Sequence, residues 1–251
     1  MQSRNSFLSN VPPIVFNLLI INTLMLGATW LLDTKFGFDL NKILGLHFIK
    51  SELFKPWQII SYMFMHGGLT HLFFNMFGVY MFGTVLEYVW SGKKFLIFYL
   101  ISGIGAAIIQ QIVWYFEFNS IMQHLDYATL DYIKNEGLSV LEQGKNYTDN
   151  FAGKLNILLH IPTVGASGAL FGVLFAFGFM FPKEKLMLIF VPIPIPARIF
   201  VILYAVAELF LGVANFRFDN VAHFAHLGGA LFGLIMIFWW RHKGKLFNHR
   251  I

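Results

Sequence analysis

A few polar residues interrupt stretches of this chain that are otherwise apolar, and their types and spacing carry chemistry. His71 and Asn75 are four residues apart, with Gly78 three further on, so on a helix all three share one face. Gly165-Ala166-Ser167-Gly168 opens a second apolar run, which also holds Gly172. A third run holds His223 and His226, with Gly229 and Gly233 at offsets of three and seven from His226. A serine in the first turn of a helix sees exposed backbone N–H groups and the positive end of the helix dipole. Those groups could hold the oxyanion that forms when the hydroxyl attacks a carbonyl. A histidine on a closely packed helix could serve as the base, and glycines on its face permit that approach. From the residues alone, blander roles stay open. Ser167 also suits a helix cap, and His71 with Asn75 suits hydrogen bonding between helices. His66 and His223 suit loop contacts, and Glu208 suits a structural partner. No acid occurs between Val221 and Trp240, so the sequence supports a Ser-His dyad and shows no Ser-His-Asp triad.

Composition dictates what must position these groups. The chain has 251 residues, of which 57% are hydrophobic, 18% aromatic and 12% charged. An ordinary soluble domain has about 25% charged residues. The mean hydropathy of +0.64 excludes a soluble globular enzyme and a disordered chain. A net charge of +5 spread this thinly makes no phosphate-tracking stripe, so no nucleic-acid partner is expected. The lack of Cys removes thiol chemistry, disulfides and thiolate metal sites. Between Met1 and Pro13 there is one basic residue, Arg4, and no leader pattern, so the first apolar run is expected to be a retained span.

A helix needs about 20 apolar residues to cross the hydrocarbon layer. Six stretches qualify: 13–32, 59–83, 95–116, 166–182, 197–214 and 221–240. The fourth is the shortest, stopped by Pro182. The polar stretch 117–165 reads as an extramembrane loop with helix around 120–143. Residues 34–57 alternate apolar groups with Lys35, Lys42, Lys50 and Lys55, which suits the headgroup plane. The tract 186–197 is too rich in proline to cross as a helix.

Charge sorts by side. The N-terminus, the turn 84–94, the connector 183–198 and the tail 241–251 hold Arg4, Lys93, Lys94, Lys183, Lys185, Arg198, Arg241, Lys243, Lys245 and Arg250 against the acids Glu87 and Glu184. The acids of the long loop, among them Glu117, Asp126, Asp131, Glu136, Glu142 and Asp149, fall on the other side. Basic residues favour the cytoplasmic face, so both termini are expected there and the acidic loop outside.

The order His71-x-x-x-Asn75, Gly165-Ala166-Ser167-Gly168 and Ala225-His226-Leu227-Gly228-Gly229 with Gly233, on three separate spans, resembles the rhomboid intramembrane serine proteases. The resemblance extends from about Trp57 to Trp240. It implies an all-α polytopic membrane protein, a six-transmembrane-helix rhomboid-like bundle forming one domain over 1–251. By the same resemblance Ser167 matches the nucleophile and His226 the general base. His71 and Asn75 match the side chains that hold the oxyanion together with the backbone N–H of Ser167, and Gly165 matches a backbone contact beside the nucleophile. Phe171 occupies the place of an aromatic packed on the catalytic imidazole. Gly229 and Gly233 match the close-packing face of the last helix, and Pro192-Ile193-Pro194-Ile195-Pro196 looks like the connector before the fifth span in bacterial members. Two departures stand out. Trp57 is followed by Gln58 where some members carry Trp-Arg, and the loop 117–165 is longer than in compact members.

The implied activity is hydrolysis of peptide bonds in or next to transmembrane segments of membrane proteins, single-pass ones in the first place. No cofactor and no metal is expected, and membrane lipid surrounds the protein. The expected location is a bacterial cell membrane, multi-pass, with both termini cytoplasmic. Three other functions compete. One is a metal or haem protein ligated by His66, His71, His223 and His226, against which stands the lack of a carboxylate in the histidine-bearing spans. The second is a rhomboid-like binding protein without activity. The third is a transporter, disfavoured by the absence of internal repeats.

Overall fold

A computed structural model describes residues 11–188, 191–214 and 221–246. Arg4 and Arg250, used in sorting the charges, lie outside the described residues, as does most of the N-terminal stretch read for a leader. The chain forms an all-α polytopic bundle. Helix α1 (Pro13–Phe36) starts on a proline whose missing N–H costs nothing at that position, and it stops at Gly37 in the left-handed conformation (φ 62°, ψ 27°). Its other free N–H groups are met from another helix: the Glu87 carboxylate accepts from Ile14 N at 3.0 Å and Val15 N at 2.8 Å. A short helix α2 (Leu40–Leu44) is capped by Asp39.

Next come α3 (Gln58–Ser61) and a 3₁₀ turn (Tyr62–Phe64), followed by α4 (Leu69–Gly78), a π-helical turn (Val79–Gly83) and α5 (Thr84–Trp90). The second apolar helix is therefore Leu69–Trp90, offset from the expected 59–83. The reason is local: Met65 is extended (φ −97°, ψ 148°) and Gly67-Gly68 separates the short turns from α4. Beyond Trp90, α6 (Gly92–Met122) runs for 31 residues.

The loop 117–165 is largely helical, with α7 (Tyr127–Glu142) and α8 (Asn150–His160) each capped by an aspartate. Asp126 accepts from Thr129 N at 2.7 Å and Asp149 from Ala152 N at 2.8 Å. Helix α9 (Ser167–Met180) has 14 residues, about 21 Å at 1.5 Å per residue, so it falls short of a hydrocarbon layer of about 30 Å. The proline-rich tract forms part of an antiparallel hairpin, β1 (Lys185–Leu188) with β2 (Val191–Pro196). Helices α10 (Ala197–Ala214) and α11 (His223–His242) complete the bundle. Among the described residues, five helices are long and apolar enough to cross a membrane: α1, the 69–90 helix, α6, α10 and α11.

The packing centre is α6, α9 and α11, built on small residues. A Cβ on Gly233 of α11 would lie 2.9 Å from Gly172 Cα of α9, and one on Gly228 would lie 2.7 Å from Ile109 Cβ of α6. Such spacing brings backbones together without large side chains between them. At one end of the bundle Lys94 donates to the Lys245 and Leu246 carbonyls and lies 4.5 Å over the Trp240 ring. Glu87 brings the start of α1 to the same turn region.

At the other end, segment 34–57 is folded into the protein. Leu46 pairs with Thr163 through two backbone bonds of 2.9 Å, and the fully buried Phe48 meets Trp114 and Phe118 at 6.2 and 5.7 Å. Gln58 is the hub of this segment. It accepts from His47 N (3.2 Å) and Lys55 N (3.1 Å) and donates to the Ile43 (3.1 Å) and Leu53 (3.0 Å) carbonyls.

Candidate active site

The approach to Ser167 is fixed by what precedes it. From α8 the chain passes through Thr163, held to Leu46, to Gly165, whose N–H donates to the Tyr62 carbonyl at 3.0 Å. Tyr62 is itself anchored by its hydroxyl to the Gly103 carbonyl of α6 at 2.8 Å. Gly165 has φ 133°, a conformation that a side chain strains, and the His71 ring takes the space a Cβ would need, with Cε1 and Nε2 2.9 Å from that position. The next turn places Ser167 as the first residue of α9, with its backbone N–H among those that no preceding turn can satisfy.

Ser167 Oγ lies 2.8 Å from His226 Nε2, so the structure brings together two residues 59 positions apart. The imidazole is held on several sides. Phe171, one turn after Ser167, stacks on it with centroids 4.3 Å apart and planes 6° from parallel. Tyr204 of α10 supports Phe171 at 4.8 Å. Gly229, one turn after His226, packs on the Gly168 backbone so closely that a methyl group has no room.

The family model of the Rhomboid domain matches residues 53–243. The chain belongs to the rhomboid family. Rhomboid protein 1, mitochondrial, of Saccharomyces cerevisiae is similar to it, 28% identical over 222 residues that cover 88% of this chain and 51% of that protein. RHOMBOID-like protein 6, mitochondrial, of Arabidopsis thaliana is 38% identical over 58 residues, 23% of this chain and 19% of that one. This rhomboid therefore spans about half the length of the yeast relative.

The other expected residues stand in different relations to Ser167. His71 sits at its edge, against Gly165, with Nδ1 accepting from Gly67 N at 3.4 Å. Its ring also meets His66 edge to face at 5.0 Å. Asn75 is buried and donates one amide hydrogen to the His71 carbonyl at 3.1 Å; the amide carries a second. Gly233 serves the α9–α11 contact and lies two turns from His226.

One group at the site reads from the sequence only as a structural partner. Glu208 of α10 is buried, and its Oε2 lies 3.0 Å from His226 Nδ1 and 2.7 Å from His223 Nδ1. The acid missing from the His226 helix thus arrives from its neighbour. The signal present in sequence was an acid inside an apolar span, which is costly unless paired. His223 is likewise part of this cluster and not a loop contact.

Proposed function

We propose that this rhomboid is a serine endopeptidase that hydrolyses peptide bonds in or next to transmembrane segments of membrane proteins, single-pass substrates above all. The observation that carries the reading is the 2.8 Å approach of Ser167 Oγ to His226 Nε2 at the start of a short helix inside an apolar bundle. Family membership supports the same class of activity.

In this reading Ser167 Oγ attacks the carbonyl carbon of the scissile bond while its proton passes to His226 Nε2. The carbonyl oxygen becomes an oxyanion, held by the Ser167 backbone N–H, the second amide hydrogen of Asn75 and the His71 ring. Collapse breaks the C–N bond, and His226 gives the proton to the leaving nitrogen. A water then attacks the ester carbonyl and gives a proton to His226; collapse breaks the bond to Ser167 Oγ, to which His226 returns the proton, and releases the new carboxyl group. The reaction needs neither metal nor nucleotide, since each proton and electron pair is accounted for by these groups. Helix carbonyls are already hydrogen-bonded, so helix-weakening residues in the substrate favour cleavage.

The short α9 supports access of water: a helix of 14 residues has room to begin below the membrane surface when the backbone before it lies in protein. We place the protein in a bacterial cell membrane with both termini cytoplasmic, surrounded by lipid and without a nucleic-acid partner. Localisation of a tagged chain to mitochondria, the compartment printed in the names of the yeast relative and one Arabidopsis relative, would contradict that placement.

The test is cleavage of a single-span substrate by purified protein in lipid, with EDTA present. Wild-type protein that binds a panel of such substrates without cutting any would establish the inactive binding reading instead. One observation favours a metal site: the ligand atoms of Glu208, His223 and His226 all lie within 4.8 Å of one another, and Glu208 supplies the carboxylate the histidine-bearing spans lack. Activity that disappears with chelator and survives Ser167→Ala would select that reading.

A further inference from the structure

Glu208 is 4% exposed on a helix that otherwise turns Leu203, Val206, Leu209, Phe210 and Val213 outward. A carboxylate buried in such a place costs several kcal/mol unless hydrogen bonds offset it. Here two N–H donors do so through a single oxygen: His223 Nδ1 at 2.7 Å and His226 Nδ1 at 3.0 Å. An ionised carboxylate can only accept, so each imidazole places its proton on Nδ1. For His226 that leaves Nε2, 2.8 Å from Ser167 Oγ, as a lone pair facing the hydroxyl.

We propose that Glu208 is a positioning residue of the proposed protease: it holds His226 in the tautomer and orientation that lets Nε2 take the Ser167 proton, and His223 keeps the carboxylate in place. The inference rests on the protease reading of the site. Phe171 fixes the plane of the imidazole by stacking but makes no distinction between its two nitrogens. Only a hydrogen bond at Nδ1 decides which nitrogen is the base, and Glu208 makes it. When Nε2 takes the proton, the carboxylate then faces an imidazolium across the same bond, so the charge formed in the transition state has a partner already in place. His223 approaches the shared oxygen more closely than His226 does, so the carboxylate stays fixed while His226 changes charge. Three residues from α9, α10 and α11 thus act in series, Glu208 to His226 to Ser167.

Glu208→Gln separates this role from packing. The amide keeps the shape but can donate to Nδ1, which moves the imidazole proton to Nε2 and points it at Ser167. We expect kcat to fall about 100-fold or more with KM within about twofold, judged from the amide variant of a serine-protease aspartate. Glu208→Asp should recover at least about tenfold of that loss, and both variants should melt close to wild type. Spectra of ¹⁵N-imidazole-labelled protein, assigned with His226→Ala, read the tautomer directly and need no activity: His226 should be Nδ1–H in wild type and Nε2–H in Glu208→Gln. Wild-type kcat in Glu208→Gln would overturn the proposal, and so would an unchanged His226 tautomer. Equal loss of kcat and melting temperature in the Gln and Asp variants would assign Glu208 to structure alone. A wild-type protein that fails to cleave while showing the Nδ1–H tautomer would sink the protease reading and leave the positioning geometry standing.

Discussion

Gly229 of α11 lies directly on the backbone carbonyl of Gly168 in α9, leaving no room for a single methyl group between them. That contact sets the distance between the helix that carries Ser167 and the helix that carries His226, since each glycine is within one turn of the reactive residue. Gly229→Ala is therefore expected to force the two helices apart. It should destabilise the protein by about 1–3 kcal/mol, the usual range for overpacking, and remove cleavage almost entirely. Thermal melting with a cleavage assay checks both; normal activity in this variant would show that the α9–α11 spacing has slack.

His223→Ala should keep part of the activity, whereas His226→Ala and Ser167→Ala should abolish it. His223 hydrogen-bonds the shared carboxylate and meets the His226 ring edge to face at 6.4 Å, so its loss loosens Glu208 and one side of the imidazole without removing the base. Rates on one substrate, measured side by side, decide the matter. Total loss at His223 would mean that the two histidines share the proton-transfer role.

The candidate residues were legible before the fold because lipid makes polar residues rare, so Ser167, His226, His71 and Asn75 stood out against apolar neighbours. The segments also read well where length and composition decide, as in α1, α6, α10 and α11. Glu208 was visible as an anomaly but not as a partner, because no spacing rule relates residue 208 on one helix to residue 226 on another. The start of the second apolar helix was misplaced for a related reason: Gln58 and Tyr62 sit in an apolar run, yet their hydrogen bonds hold a loop rather than a span. The course of 117–165 became clear only in three dimensions, where α8 leads into the bridge between Thr163 and Leu46, a few residues before Ser167.

Asn75→Ala should slow cleavage by about 10- to 1,000-fold, as removal of an oxyanion donor does elsewhere. The side chain already donates to the His71 carbonyl, so an unchanged rate would return Asn75 to holding the α4 backbone. KM should stay near wild type, because the donor matters only once the oxyanion exists.

Gln58→Leu should destabilise the protein while leaving the residues around Ser167 chemically intact. Four hydrogen bonds converge on this fully buried amide, and the substitution strands two backbone N–H groups and the Leu53 carbonyl, while the Ile43 carbonyl keeps a 3.4 Å bond from Trp57 Nε1. At about 1–3 kcal/mol for each buried group left unsatisfied, with partial relaxation, a loss of about 2–4 kcal/mol is expected. A melting temperature equal to wild type would show that water replaces the amide.

The same loop makes stability depend on pH. Burial holds the His47 imidazole below its usual value of 6.5, although the Lys42 carbonyl accepting from Nε2 at 2.9 Å works the other way; a nearby His160 adds to the depression. The unfolded chain therefore binds the proton first, so this contribution is complete above about pH 6.5 and is lost as pH falls below it. Melting temperature should drop between pH 7 and pH 5, and His47→Gln should flatten the drop. An identical pH slope in that variant would remove His47 as a cause.

The central claim is that Ser167 is a nucleophile activated by His226. A serine-directed fluorophosphonate or isocoumarin, incubated with purified protein in lipid and followed by mass spectrometry of peptides, tests it most directly. The account predicts one adduct, on Ser167, absent in Ser167→Ala and strongly reduced in His226→Ala. A wild-type protein that stays unlabelled, or an adduct that persists in Ser167→Ala, would contradict it.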